Sequence, residues 1–316
     1  MKNLPLIRAE GNTKLHRVNN IKGIDFHVHI TPPDIIADFR KYAEKEPYFA
    51  LLSNSKKNKF ASAQDVVSSL ENDGMFEKAV VFEKAGIFEK AVVFGFAFRD
   101  MGLCRYVNDY VIENVRQYPE KLTGFIVVPP GEGLRGGEAA KEIERCFRAG
   151  LKGVGELFPE GQGFDPGDEK QTGAVCGACK ELGLPLLLHA NEPVGHFYPG
   201  KTDVTLRQFE TFVANNQGLN IILAHWGGGL LFYETMGEIK EKFRNVYYDT
   251  AATPFLYDER IYRAAKVLGL CEKILFGSDF PLLGRSRYLD GLEKSGISGE
   301  EKRLILGGNA QKLLKC

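Results

Sequence analysis

The chain of 316 residues has no run of about 20 apolar residues, so nothing in it reads as a membrane-spanning helix. It also lacks net charge, because 41 Lys and Arg balance 41 Asp and Glu. Without an overall field, neither nucleic acid nor an anionic membrane is an expected partner. Cysteine is sparse: the 6 in the chain are too scattered for a small disulfide framework. The opening MKNLPLIRAEGNTKLHR has no apolar core of signal-peptide length. Together these absences predict a cytoplasmic protein with reduced thiols. Cys176 and Cys179 are followed by no second pair, and their helical surroundings predict packing rather than a redox or zinc role. What the sequence does have is material for a core, with 44% hydrophobic residues and 22 Phe, and 35 glycines to make many tight turns.

Eight short apolar runs read as strands: GIDFHVHI, KAVVFGF, LTGFIVV, LKGVGELF, LPLLLHA, NIILAHW, NVYYDTA and KILFGSDF. They are nearly continuous in apolar character rather than alternating, as strands covered on both faces are, so parallel pairing is expected. Amphipathic segments of helical length separate them, and most strands recur at about the 30 residues of a βαβ unit. The pattern predicts an α/β protein, a (β/α)8 TIM barrel forming a single domain over 1–316 with its core at about 23–314. The first interval is about twice the usual length, so extra structure is expected between strands one and two. Part of that structure is a tandem copy, GMFEKAVVFEKA followed by GIFEKAVVFGFA. The second copy is assigned to strand two, and the first is expected to extend the preceding helix. His16, ahead of the barrel, is read as a surface or core residue.

The strongest chemical signal is His27-Val28-His29 near the end of strand one. Side chains two apart on a strand share a face, so both imidazoles can close on one cation. His189, His225 and Asp279 lie at the ends of strands five, six and eight. In a barrel all C-terminal strand ends meet at one mouth, so these groups converge despite their separation in sequence. Histidine with carboxylate suits zinc, iron, nickel, cobalt or manganese.

This constellation resembles the amidohydrolase superfamily, and in local wording (GIDFHVHITPP, LLLHANEP, ILAHWGGG, YYDTAATP, LFGSDFPL, ILGGNAQKLL) its amidohydrolase-2 branch. That branch includes aminocarboxymuconate semialdehyde decarboxylase and the resorcylate decarboxylases. The resemblance implies that His27, His29, His189 and Asp279 are ligands, with His225 either binding a second metal or orienting the attacking water. Asp279 would take that water's proton, which makes Asp279 and His225 the expected catalytic pair. Strand four has no lysine at its mouth end; Lys152 begins it. Glu156 stands there instead, resembling the strand-four glutamate of TatD-like hydrolases, and is read either as a further, bridging metal ligand or as a mouth residue that touches no metal. One divalent cation per chain is expected, zinc first, with two the alternative.

Expected substrate contacts are Arg99, which could hold a carboxylate in its planar fork, and Asn191, Glu192 and His196 in the loop after strand five. Trp226 either walls the pocket or packs, and Asp249 and Thr250 are divided between structural and substrate roles. The leading expectation is a hydrolase that uses a metal-activated water on a small amide, ester or lactone. The alternative is a metal-dependent decarboxylase acting on a small aromatic or enoic carboxylic acid. Phosphodiester hydrolysis is weakened by the zero net charge, and a scaffold without turnover by the open position of the ligands. The partner is a small molecule, and exposed aromatics in the first insertion leave room for a homodimer.

Overall fold

The computed structural model describes residues 22–55, 59–72 and 87–316. Eight strands pair in parallel and in sequence order. They are β1 (Gly23–His29), β2 (Phe88–Phe94), β3 (Leu122–Ile126), β4 (Gly153–Leu157), β5 (Leu186–Leu188), β6 (Ile221–Leu223), β7 (Val246–Asp249) and β8 (Ile274–Leu275). The ring closes where the chain beyond β8 returns to β1: the Phe26 N–H donates to Phe276 O at 2.7 Å and the His29 N–H to Phe280 O at 2.8 Å. This is the expected (β/α)8 barrel. Every residue of β3 to β5 except Thr123 is buried, which explains why those runs read as continuously apolar.

Two apolar clusters divide the interior. One lies inside the ring, where Phe26, Val92, Phe94, Phe125, Leu187, Ile222 and Leu275 meet. The other lies between the strands and the helices Met101–Gln117, Gly133–Arg148, Glu169–Leu182 and Leu206–Asn215, and includes Val28, Val93, Val111, Ile143, Val175 and Phe209. Helix starts follow the local sequence. Asp100 and Asp168 accept from the first-turn amides of Leu103 and Lys170, and Thr205 with Gln208 forms a capping box. Cys176 and Cys179 are buried and free on the helix Glu169–Leu182, as packing residues.

The extra structure between β1 and β2 contains the short helices Pro33–Ala37, Phe39–Ala43 and Pro47–Ser53 and the longer Ala63–Asn72. Phe88–Phe94, in the second copy of the duplicated segment, is β2. The first copy, from Gly74, lies outside the described residues, as does His16. Among the described residues, no helix is long and apolar enough to cross a membrane.

Candidate metal centre

The site begins with an irregularity in β1. Its register against β2 shifts between Asp25 and Val28. Before the shift Ile24 and Phe26 face the ring interior; after it Val28 and Ile30 face the helices. A bulge of this kind re-aims side chains, and here it turns both His27 and His29 inward. Their Nε2 atoms lie 3.3 Å apart. The Glu156 Oε2 atom is 3.5 Å from His27 Nε2 and 3.6 Å from His29 Nε2. Asp279 Oδ1 lies 3.7 Å and 3.3 Å from the same two nitrogens. Ligand atoms bound at about 2.0–2.2 Å to one cation sit about 3–3.6 Å from their neighbours, so this donor set fits a divalent ion.

Glu156 has a second side. Its Oε1 meets His189 Nδ1 at 2.9 Å and His225 Nε2 at 3.5 Å, so its two oxygens face two groups of possible ligands, His27 with His29 and His189 with His225. His189 therefore reaches the cluster through Glu156, and its other nitrogen lies 2.9 Å from Gly200 O. The sequence reading placed His189 beside His27 and His29, and the structure sets it one residue further away.

Asp249, at the end of β7, fixes the imidazoles. Its Oδ2 lies 2.8 Å from His27 Nδ1, leaving Nε2 for the cluster, and its Oδ1 accepts from the backbone N–H of His225 at 2.9 Å and of Ala251 at 3.0 Å. The His225 ring donates Nδ1–H to Ala251 O at 3.0 Å. Thr250 ties β7 to the segment after β8 through Gly277. Asp25, two residues before His27, accepts from Ser278 N–H and Oγ–H at 2.9 and 2.6 Å and from Arg285 Nε at 2.7 Å, so it holds the turn that carries Asp279. The sequence reading missed Asp25; its spacing of two from His27 was the available signal.

The backbone is strained at this mouth. His225, Trp226, Ala252 and Asp279 have φ of 54°, 60°, 57° and 57°, a region that costs a non-glycine residue about 1–3 kcal/mol. Four such residues at the ends of β6, β7 and β8 mark the place where the fold gives up stability for geometry. Gly155, next to Glu156, has φ +117°, and a Cβ there would lie 2.1 Å from Leu187 O.

The charges reinforce one another. Burial depresses the His27 imidazole, but Glu156 and Asp249 outweigh it and raise its pKa well above the usual value. Burial likewise opposes the charge of His225, yet Glu156, Asp279 and Asp249 lift it to about 9. Burial works against the Asp279 carboxylate too, but His29, His27 and His225 bring it down to about 2. For Glu156 the same opposition is overcome by His27 and His189, which hold it well below the ordinary carboxylate range. Ionised oxygens and imidazole nitrogens facing one point are the chemistry of a site that exchanges protons for a cation.

A model of the amidohydrolase family matches residues 24–316. The chain belongs to the amidohydrolase family. This amidohydrolase is 26% identical over 255 residues to a gamma-resorcylate decarboxylase of Polaromonas sp., covering 67% of this chain and 76% of that protein. Its fold is similar to that of 5-carboxyvanillate decarboxylase from Sphingomonas paucimobilis, with a TM-score of 0.71, 15% identity, and 94% and 99% of the two chains covered. It is also similar to a dihydroxybenzoic acid decarboxylase of Polaromonas sp., solved with manganese and the inhibitor 2-nitroresorcinol, with a TM-score of 0.69, 19% identity, and 93% and 97% covered.

These relatives correct the leading expectation of hydrolysis, because all three are decarboxylases. The physical reason is that a cation-binding mouth of histidines and carboxylates serves either reaction, and its ligand motif does not say which. The surrounding residues need correction as well. Trp226 does not wall the mouth: it is fully buried, donates to Thr253 Oγ1 at 2.8 Å and packs on Tyr262. Asn191 is buried and spent on the loop, its Oδ1 accepting from Thr202 N–H and Oγ–H at 3.1 and 2.7 Å. His196 is exposed on that loop. Glu192 stays half-buried and accepts from the Tyr198 hydroxyl at 2.7 Å. Burial and then Glu192 raise the pKa of Tyr198, and the same two causes raise that of Tyr257. Tyr198 and Tyr257, which the sequence reading missed, thus gather with Glu192 near Asp279. Arg99 is exposed at the rim.

Proposed function

We propose that this amidohydrolase is a metal-dependent decarboxylase of small hydroxylated aromatic carboxylic acids. The observation that carries the reading is the activity of its curated relative, a gamma-resorcylate decarboxylase, set beside a donor cluster that fits a divalent cation. His27, His29, Glu156 and Asp279 would hold the cation, with His189 and His225 on the far oxygen of Glu156. When bound, the cation supplies positive charge against which the oxygens of the acid are seated and negative charge is stabilised. Zinc and manganese both suit imidazole and carboxylate donors, so both are loaded in the test. The six free thiols suit a reducing compartment such as the cytoplasm.

Decarboxylation replaces the ring carboxylate by a proton: a C–H bond forms, the C–C bond to the carboxylate breaks, and CO2 leaves. The residues of the mouth can manage that proton. His225 lies close enough to Asp279 for each to feel the other's charge, so the two can share a proton. Asp279 can receive the proton and deliver it to the ring carbon. The pair of Tyr198 and Glu192, together with Tyr257, offers hydrogen bonds to the ring hydroxyls and excludes water from one side.

The test is incubation of manganese- and zinc-loaded protein with 2,6-dihydroxybenzoate and other hydroxybenzoates, following CO2 and the phenol by chromatography. CO2 with one equivalent of phenol is expected, lost in His27→Ala. Turnover without CO2, or no turnover of any hydroxybenzoate, would overturn the proposal.

A further inference from the structure

We propose that Asn191 is a positioning residue of the metal centre, acting through the loop of residues 192–201, and that cation binding and the order of this loop favour each other. The inference rests on the cation reading of the mouth and not on the reaction carried out there.

The three buried imidazoles of the cluster are each held from behind. Nδ1 of His27 meets Asp249 Oδ2 at 2.8 Å, and Nδ1 of His225 meets Ala251 O at 3.0 Å. Both of those partners are fully buried, at or just after the end of β7. His189 is different. Its backing oxygen is Gly200 O, 2.9 Å from Nε2, at the far end of a loop whose residues 193–197 are all exposed. A carbonyl oxygen only accepts, so the Nε2 edge of the ring is committed to the loop and the Nδ1 edge to Glu156 Oε1, 2.9 Å away. The other oxygen of Glu156 lies 3.5 and 3.6 Å from Nε2 of His27 and of His29. An exposed loop thus reaches the cation position through one imidazole and one carboxylate.

The loop is compact and tied by its own side chains. Tyr198 donates to Glu192 Oε2 at 2.7 Å, and the Lys201 ammonium donates to Val194 O and, at 3.4 Å, to His196 O. At its neck the buried Asn191 and Thr202 face each other. Asn191 Oδ1 accepts from Thr202 N–H and Oγ–H at 3.1 and 2.7 Å, and Asn191 Nδ2 donates to Thr202 O at 3.1 Å. Both sides of the neck are anchored. Asn191 is packed on Gly228, where a Cβ would lie 2.2 Å from Asn191 O, and the Asp203 N–H donates to Glu160 Oε2 at 2.8 Å. The amide of Asn191 therefore sets where Gly200, two residues before Thr202, presents its carbonyl. Gly200 has φ +101°, an angle that glycine adopts freely.

Coupling of this kind is reciprocal: a cation that draws Glu156 and His189 into place favours the closed neck, and a closed neck raises cation affinity by the same factor. Glu192 and Tyr198 ride on the loop, so loading the cation also orders the wall proposed to face the ring.

The test pairs manganese titration, by competition with a chromogenic chelator, with hydrogen–deuterium exchange of residues 191–202 in chelator-treated and manganese-loaded protein. In the wild type the loaded form is expected to exchange about tenfold more slowly there. Asn191→Ala should bind manganese about tenfold more weakly and lose most of the difference in exchange. Gly200→Ala, which has room for the methyl group but an unfavourable backbone angle, should do the same, while Phe197→Ala, at the exposed tip, should change neither reading. An amide that only supported the fold would lower the melting temperature without making loop exchange depend on manganese. Wild-type exchange indifferent to bound manganese, or affinity in Asn191→Ala and Gly200→Ala within twofold of wild type, overturns the coupling and leaves the metal centre standing. No manganese bound by the wild type removes the metal centre and the coupling together.

Discussion

Asp249 touches two of the histidines through different atoms, the ring of one and the backbone of the other, so its removal should loosen the site without deleting a ligand. Asp249→Asn is expected to lower metal affinity about 10–100-fold, as loss of a carboxylate behind a ligating imidazole does, measured by competition with a chromogenic chelator. An affinity within twofold of wild type would show that the His27 tautomer is fixed by something else. In the metal-free protein His225 titrates at about 9 when folded against an ordinary 6.5, so its imidazolium favours the folded state. That contribution is complete below pH 6.5 and is lost as pH rises through about 9. Asp279 has the opposite sign: its contribution is present above 3.8 and disappears as pH falls through about 2. Chelator-treated protein should therefore melt at a higher temperature at pH 6 than at pH 9.5, and loaded protein should show less of that fall. A chelator-treated sample that melts higher at pH 9.5 would contradict the charge arrangement.

The elements were legible where burial controls the pattern and illegible where hydrogen bonding does. Largely apolar runs marked all eight strands, because a strand covered on both faces leaves few polar positions, those of β1 being the site residues Asp25, His27 and His29. Their ends were another matter. NIILAHW reads as one strand to Trp226, yet β6 stops at Leu223 and the chain turns with positive φ at His225, so Trp226 swings into the outer core. KILFGSDF reads as a strand to Phe280, but only Ile274 and Leu275 pair regularly, and Asp25 and Thr250 direct the rest by side-chain bonds. Asn191 looked like a substrate group because its loop is mixed in chemistry; its partners, eleven residues on, are invisible to periodicity. The gathering of donor side chains was readable because residue types and strand ends coincide, whereas the part of Glu156 in both donor groups depends on the direction of one side chain.

Two substitutions test these element junctions. Gly155→Ala must place a methyl group 2.1 Å from Leu187 O at φ +117°, so a loss of at least about 2 kcal/mol in denaturant unfolding is expected, together with weaker metal binding. Asn309, buried on the C-terminal helix Asn309–Leu314, donates to Cys271 O and Ile274 O, both at 2.7 Å. Asn309→Ala leaves those carbonyls unpaired and should cost about 2–4 kcal/mol. A change below about 0.5 kcal/mol in either variant would mean that the junction relaxes freely.

For the whole molecule the decisive quantity is the number of cations. Glu156 faces both ligand groups, so one equivalent per chain in wild type and in Glu156→Gln would make it a contact of a single ion, while two falling to one would make it a bridge. One equivalent is expected, from elemental analysis of protein prepared without chelator. Because the cation binds only the folded chain, its removal should lower the melting temperature and its return should restore it, with about 2.7 kcal/mol of stabilisation at a hundredfold excess over Kd. No shift on chelation would place the cation outside the fold's energetics.

The clamp from Asp25 to Ser278 and Arg285 joins positions 253 and 260 residues apart. A chain still emerging from the ribosome thus displays His27 and His29 about 250 residues before Asp279 and the arginine that steadies its turn. During synthesis there is an incomplete chelator and no barrel seam to shelter it. Cation capture is therefore expected only once β1 and β8 have met, and a nascent chain arrested short of residue 279 should emerge metal-poor.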